Sequence, residues 1–215
     1  MLQTSTVEEP TFELLKRLMQ DQYLSDFLLA GGTGLALQLG HRKSVDLDMF
    51  SYQEFDAIEL EKHFLKNYNF VTRRVFDKNT VLGNIDGIKV DFVAHLYPLL
   101  HQPIEEDAVR MYSLPDLACM KLVAISDNGT RLKDFVDIAF LSTKMSLNEM
   151  LLSYSQKYDR PNYFHAAKGL SYFNDIDFDV KIDLSNNHKF DWQKIEKRII
   201  EMIKFENKIF DKNPI

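Results

Sequence analysis

Apolar residues recur at helical spacing over residues 11–26, where Phe12, Leu15, Leu18 and Met19 share one side. A short apolar run, Phe27-Leu28-Leu29-Ala30, then stops at Gly31-Gly32, the pattern of a buried strand entering a tight turn. Helical spacing resumes over 33–39 with Leu35, Ala36 and Leu39 on one side, and Gly40 ends it. Val45-Asp46-Leu47-Asp48-Met49-Phe50 alternates with period two, which predicts a strand. Val45, Leu47 and Met49 would share one face of it and Asp46 and Asp48 the other. A second amphipathic helix is predicted over 57–67, and strands over 70–76 and 80–85. The Asp86-Gly87 turn returns the chain into a strand over 89–95.

Beyond Pro98 the pattern turns helical. Ser113 reads as a helix cap with Asp116 three residues on, followed by helical spacing over 117–126 and a break at Asn128-Gly129. Helices are predicted over 130–142, 147–157, 163–172 and 192–210. The expected fold is therefore an α/β domain with a small mixed sheet, residues 1–110, followed by a helical C-terminal domain, residues 111–215.

A chain of 215 residues is long enough for one large or two small cores. No apolar run approaches the roughly 18 residues of a membrane helix, and the first residues lack the basic-then-apolar order of a secretory signal. The lone cysteine, Cys119, excludes an intramolecular disulfide framework and lies in an apolar helical pattern, so it is expected to be packed in a cytoplasmic protein. The formal net charge of −6 argues against broad, non-specific nucleic-acid binding but leaves room for a local basic patch.

The chemistry concentrates in Gly31-Gly32-Thr33 followed by Asp46-Leu47-Asp48. Glycines let backbone N–H groups approach an anion closely, and the start of the next helix adds its positive end. Two carboxylates two apart on a strand point from one face and suit Mg²⁺ or Mn²⁺, which keeps its other positions for water and phosphates. Asp91, a charge flanked by Val90, Phe92 and Val93, is the candidate third carboxylate, since such a residue is costly unless paired or metal-bound. Each feature alone has an ordinary reading: a turn, a solvated strand face, an edge residue. Their order and spacing together make the case. His41-Arg42-Lys43 is a cationic loop that either meets substrate phosphate or is simply solvated, and Arg131 and Lys133 either neutralise phosphates or open a charged helix. His95 and His101 lack zinc-ligand spacing, and no Ser/His/Asp or Cys/His nucleophile set stands out.

The stretch from Gly31 to Phe50 resembles the signature of the abortive-infection Eii toxin-like nucleotidyltransferases, members of the DNA polymerase β-like superfamily. The likeness continues at Lys89-Val90-Asp91-Phe92, at Leu117 to Ile125, at Arg131 to Ile138 and at Leu170-Ser171-Tyr172-Phe173. It implies a bilobal nucleotidyltransferase that moves a nucleoside monophosphate from a nucleoside triphosphate (NTP) to a hydroxyl. It also implies a toxin–antitoxin setting with RNA, transfer RNA among it, as acceptor and a cognate antitoxin as partner. By the same resemblance Asp46 and Asp48 hold metal, Lys121 meets the triphosphate, and Asp134 is a site residue ahead of Asp137. From the residues alone, Lys121 stands in an apolar helix and could equally reach outward to solvent, and Asp137 could merely pair with a base. Asp91 would complete the metal shell or act as a base, and Gly31, Gly32, Thr33 and Arg131 would handle phosphate. The rival readings are an enzyme that modifies a protein hydroxyl and a non-catalytic interaction protein of the same fold. The intact Asp46/Asp48 pair speaks against the second.

Overall fold

The computed structural model of the protein describes residues 1–76 and 79–215. Helix α1 (Glu9–Gln20) has Pro10 in its first turn, where a missing N–H costs nothing. It ends earlier than the periodicity predicts because Asp21 turns extended and its carboxylate accepts from the Tyr23 N–H at 2.9 Å, starting a short 3₁₀ turn, Gln22–Leu24. Then follow β1 (Phe27–Leu29), α2 (Gly31–Leu39), β2 (Leu47–Ser51), α3 (Ala57–Asn67), β3 (Phe70–Phe76), β4 (Thr80–Ile85) and β5 (Ile88–Ala94). Gly40 terminates α2 in the left-handed conformation, φ 71°, as its position predicts.

A hairpin of two three-residue strands, β6 (Ile104–Glu106) and β7 (Val109–Met111), lies in the stretch that shows no strand pattern. Its turn places Asp107 and Ala108 at φ 51° and 60°. Strands so short show no alternation, and an Asp-Ala turn lacks the glycine that marks such hairpins. The helices are α4 (Leu114–Asp127), α5 (Leu132–Leu141), α6 (Leu147–Tyr158), α7 (Phe164–Leu170) and α8 (Trp192–Lys204). Ser113 caps α4 by accepting from the Asp116 N–H at 3.3 Å, as expected. Among the described residues no helix is long and apolar enough to cross a membrane.

The sheet is mixed and seven-stranded, in the order β3-β4-β5-β2-β1-β7-β6. β2 runs antiparallel to β1 and parallel to β5, with Asp48 opposite Asp91. Val45, expected in β2, precedes it and is 51% exposed. The backbone there is committed elsewhere, since the Ser44 N–H donates to the Thr6 carbonyl at 2.9 Å. Leu47 and Met49 enter an apolar cluster shared with α1 and α3, whereas Phe50 packs against a second cluster built from α4 to α8. The period of two thus turns Asp48, with Phe50, toward the helical side. β1 and α2 feed both clusters: Leu29 and Leu37 enter one, Leu28 and Leu35 the other. Beside the second cluster lies a buried ion pair, Lys157 to Asp116 at 2.7 Å, with Lys157 also donating to the Pro98 carbonyl at 2.8 Å.

Phe64 of α3 is fully buried, with ring centroids 4.6 Å from Phe92 and 5.1 Å from Phe70. Phe64→Ala should cost about 3–5 kcal/mol through lost transfer energy and the cavity left behind. Urea unfolding measures it, and a midpoint equal to that of the wild type would contradict this packing.

Candidate active site

Because β1 and β2 are antiparallel, the end of β1 where α2 begins lies beside the start of β2, where Asp46 and Asp48 sit. The Ala30 N–H donates to the Asp48 carbonyl at 2.8 Å across this join. Gly31 then takes φ +61°, and a Cβ placed on it would lie 1.9 Å from Asp48 Oδ2. A Cβ on Gly32 would lie 2.5 Å from Arg42 Nη2. The two glycines are therefore demanded by the side chains that pack on them, and the turn they form is the N-terminal end of α2. Thr33 is fully buried, and its hydroxyl donates to the Asp46 carbonyl and lies 2.8 Å from Ser44 Oγ, tying α2 to the segment that leads into β2.

Asp46 stands one residue ahead of β2, and Asp48 lies within it. Lys89, two residues before Asp91 on β5, places Nζ 3.4 Å from Asp46 Oδ2 and 3.2 Å from Asp91 Oδ2. Asp91 is held as well by Arg73 of β3. Burial raises the Asp48 carboxyl above its ordinary value, Lys121 and Lys89 counter that, and Asp91 and Asp46 add to it as like charges. The three carboxylates therefore share one electrostatic neighbourhood. Among the described residues no three acidic, His or Cys side chains converge into a metal-holding group. An ammonium group between Asp46 and Asp91 instead marks where positive charge is favoured. Carboxylate oxygens at such a place fit a hard divalent cation that completes its shell with water and phosphate.

Behind the glycine turn lies a buried ion network. Arg42 grips Asp137 with two bonds, Nε to Oδ1 at 2.6 Å and Nη2 to Oδ2 at 2.9 Å. His41 Nε2 donates to Asp137 Oδ1 at 2.8 Å. Lys121 of α4 reaches Asp137 Oδ2 at 2.7 Å and Asp134 Oδ1 at 2.5 Å, and Arg131 Nε lies 3.1 Å from Asp134 Oδ2. Lys121 therefore does not reach outward to solvent, and of the cationic loop only Lys43 is exposed. Burial alone would raise the Asp137 carboxyl, but Arg42 and Lys121 outweigh it and hold the group well below the usual range. Burial would likewise lower the Lys121 amine, yet Asp137 and Asp134 keep it raised. His41 is lowered because burial outweighs its bond to Asp137. Cys119 is packed as expected, and burial pushes its thiol up to about 12.

The profile of a family described as the nucleotidyl transferase AbiEii toxin, type IV toxin–antitoxin system, matches residues 13–212. The chain belongs to that family. An uncharacterized protein of Aquifex aeolicus (strain VF5) is 33% identical over 191 residues, covering 86% of this chain and 90% of its own. The crystal structure of JHP933 from Helicobacter pylori superposes with a TM-score of 0.54 at 18% identity, covering 94% of this chain and 93% of that one. A second Helicobacter pylori crystal structure also reaches 0.54, at 17% identity, with 93% and 96% covered. The mixed α/β fold of this AbiEii-family chain is thus that of nucleotidyltransferase-like proteins. Neither Arg73 nor Lys89 takes a site role from the sequence alone, although Lys89 opens one of the matching blocks. Lys89 shares a strand face with Asp91 by the period of two, and that is the signal that could have found it.

The ionisations predict an acid-sensitive fold. A folded His41 held below its ordinary value contributes stability that is present above the unfolded pKa, about 6.5, and lost as the pH falls below it. Asp137, also depressed, adds a loss that begins near pH 3.9. Asp48, raised, works in the opposite direction. Unfolding free energy of the wild type should decline from pH 7 to pH 5, and His41→Gln should flatten that decline. An unchanged slope in His41→Gln would refute the assignment to His41.

Proposed function

We propose that this AbiEii-family nucleotidyltransferase moves a nucleoside monophosphate from an NTP to a hydroxyl of an RNA acceptor, with Mg²⁺ or Mn²⁺ held by Asp46 and Asp48. The observation that carries the reading is the join at which the Asp48 side chain packs on Gly31 and the Asp46 carbonyl accepts from Thr33, at the N-terminal end of α2. There a phosphate finds backbone N–H groups and a helix dipole on one side and carboxylates able to hold its cation on the other. In the reaction the acceptor oxygen bonds to the α-phosphorus and the bond to pyrophosphate breaks. The hydroxyl proton leaves to a base, a role this reading gives to Asp91, the residue opposite Asp48 in the register of β2 and β5. A divalent cation, when bound, supplies positive charge to the phosphoryl oxygens in the transition state. The charge of Lys121 counters part of the burial that raises the Asp48 carboxyl, and Asp134 holds the Lys121 amine in place. Family membership supports a toxin role with an antitoxin protein as partner. The RNA acceptor rests on the resemblance in the sequence, and the cytoplasmic setting on the lone cysteine, Cys119.

Purified protein incubated with each labelled NTP, Mg²⁺, and total RNA or total protein should label RNA. Asp46→Asn and Asp48→Asn should each lower the rate on the order of 10³-fold, the worth of several kcal/mol of lost charge stabilisation. Label on protein alone would overturn the acceptor, and wild-type turnover by either variant would overturn the metal assignment.

A further inference from the structure

On the Asp46 side of the glycine turn, outside the carboxylate cluster, three separate segments enclose a cavity of about 250 Å³. They are the 42–45 loop, the first turn of α5 at Lys133, and residues 181–183, and Thr6 and Glu8 also line it. The late segment is fixed there by backbone bonds. Lys43 N–H donates to the Asp183 carbonyl at 2.8 Å, and Ser185 N–H to the His41 carbonyl at 3.0 Å. The cavity thereby gathers Lys43, Lys133 and Lys181, three lysines distant in sequence, in a chain whose net charge is −6. Arg42 also lines it, but its guanidinium is spent on Asp137. Glu8 and Asp183 line the same cavity. Even so, among the described residues none of the three lysines forms an ion pair, although nine other Lys and Arg residues do: Lys16, Arg17, Arg42, Lys62, Arg73, Lys89, Lys121, Arg131 and Lys157.

We propose that this cavity is an anion subsite that takes a phosphate group of a substrate whose reacting end lies at Asp46 and Asp48. The proposal deepens the nucleotidyltransferase reading and rests on it. The volume falls below the roughly 300–1,000 Å³ of sites that enclose a whole small ligand, so the cavity suits a phosphate rather than a complete nucleotide. Val45 lines it and adjoins Asp46, and the charge of Asp46 is felt at Lys133, so a bound phosphate would lie alongside the reacting centre. Two substrates carry that chemistry, the triphosphate tail of the NTP and the phosphodiester strand of an RNA acceptor. Lysine serves both as a point charge.

Binding tests it without turnover, in chelator, using inorganic tripolyphosphate by calorimetry and a single-stranded RNA oligonucleotide by fluorescence anisotropy over a salt series. The variants are Lys133→Ala/Lys181→Ala and the charge-keeping Lys133→Arg/Lys181→Arg. The alanine pair should weaken one probe at least tenfold, and the arginine pair should keep most of the affinity. Loss confined to RNA, with a log–log salt slope shallower by about 0.7 per lost contact, assigns the site to the acceptor strand. Loss confined to tripolyphosphate assigns it to the NTP tail. Wild-type affinity of the alanine pair for both probes, or binding of neither probe by the wild type, overturns the subsite. Because no transfer is measured, these outcomes are independent of the result with Asp46→Asn, so failure of the subsite and failure of the transferase reading are told apart.

Discussion

The carboxylate of Asp137 receives Arg42 and His41 from the loop between α2 and β2, and Lys121 from α4. All four side chains are buried. A buried charge left alone is costly, while one whose partners are all present is tolerated and sharply oriented. The loop that precedes Asp46 is therefore pinned to α5, and with it the start of β2. Arg42 in turn fills the space over Gly32, and Asp48 fills the space over Gly31. The glycine turn, the aspartate strand and the helical lobe thus lock together through one anion.

This arrangement explains how a site rich in like charges is held. Asp46, Asp48 and Asp91 repel one another, yet Lys89 stands between two of them and Arg73 takes a third contact. Asp48 also feels the charge of Lys121. Each aspartate thus has positive charge near it from an element other than its own, which is the condition for keeping carboxylates clustered without a large loss of stability. A divalent cation entering the same neighbourhood would take over part of the work that Lys89 does.

Much of the site was legible in the chain because its signals are local. Gly31-Gly32 after an apolar run, Asp46 and Asp48 one strand period apart, and Asp91 within an apolar strand all act over a few residues, and the strand register then sets Asp91 opposite Asp48. The ion network was not legible in this way. Lys121 and Asp137 sit in helices whose sequences read as ordinary amphipathic or apolar runs, and which base meets which acid depends on how α4, α5 and the 41–45 loop pack. The same holds for Lys157 and Asp116. The short hairpin of β6 and β7 escaped because three residues cannot display a period, and the edge it adds to the sheet is decided by pairing with β1.

The most direct measurement of the pinned loop is native-state hydrogen exchange of the Lys43 and Ser44 amides, which donate to Asp183 and Thr6, in wild type and Asp137→Asn. With Arg42 and Lys121 left buried without their anion, the variant should lose about 3–5 kcal/mol of stability, and the two amides should exchange faster than the fall in global stability alone explains. Protection of both amides unchanged from the wild type would contradict the account.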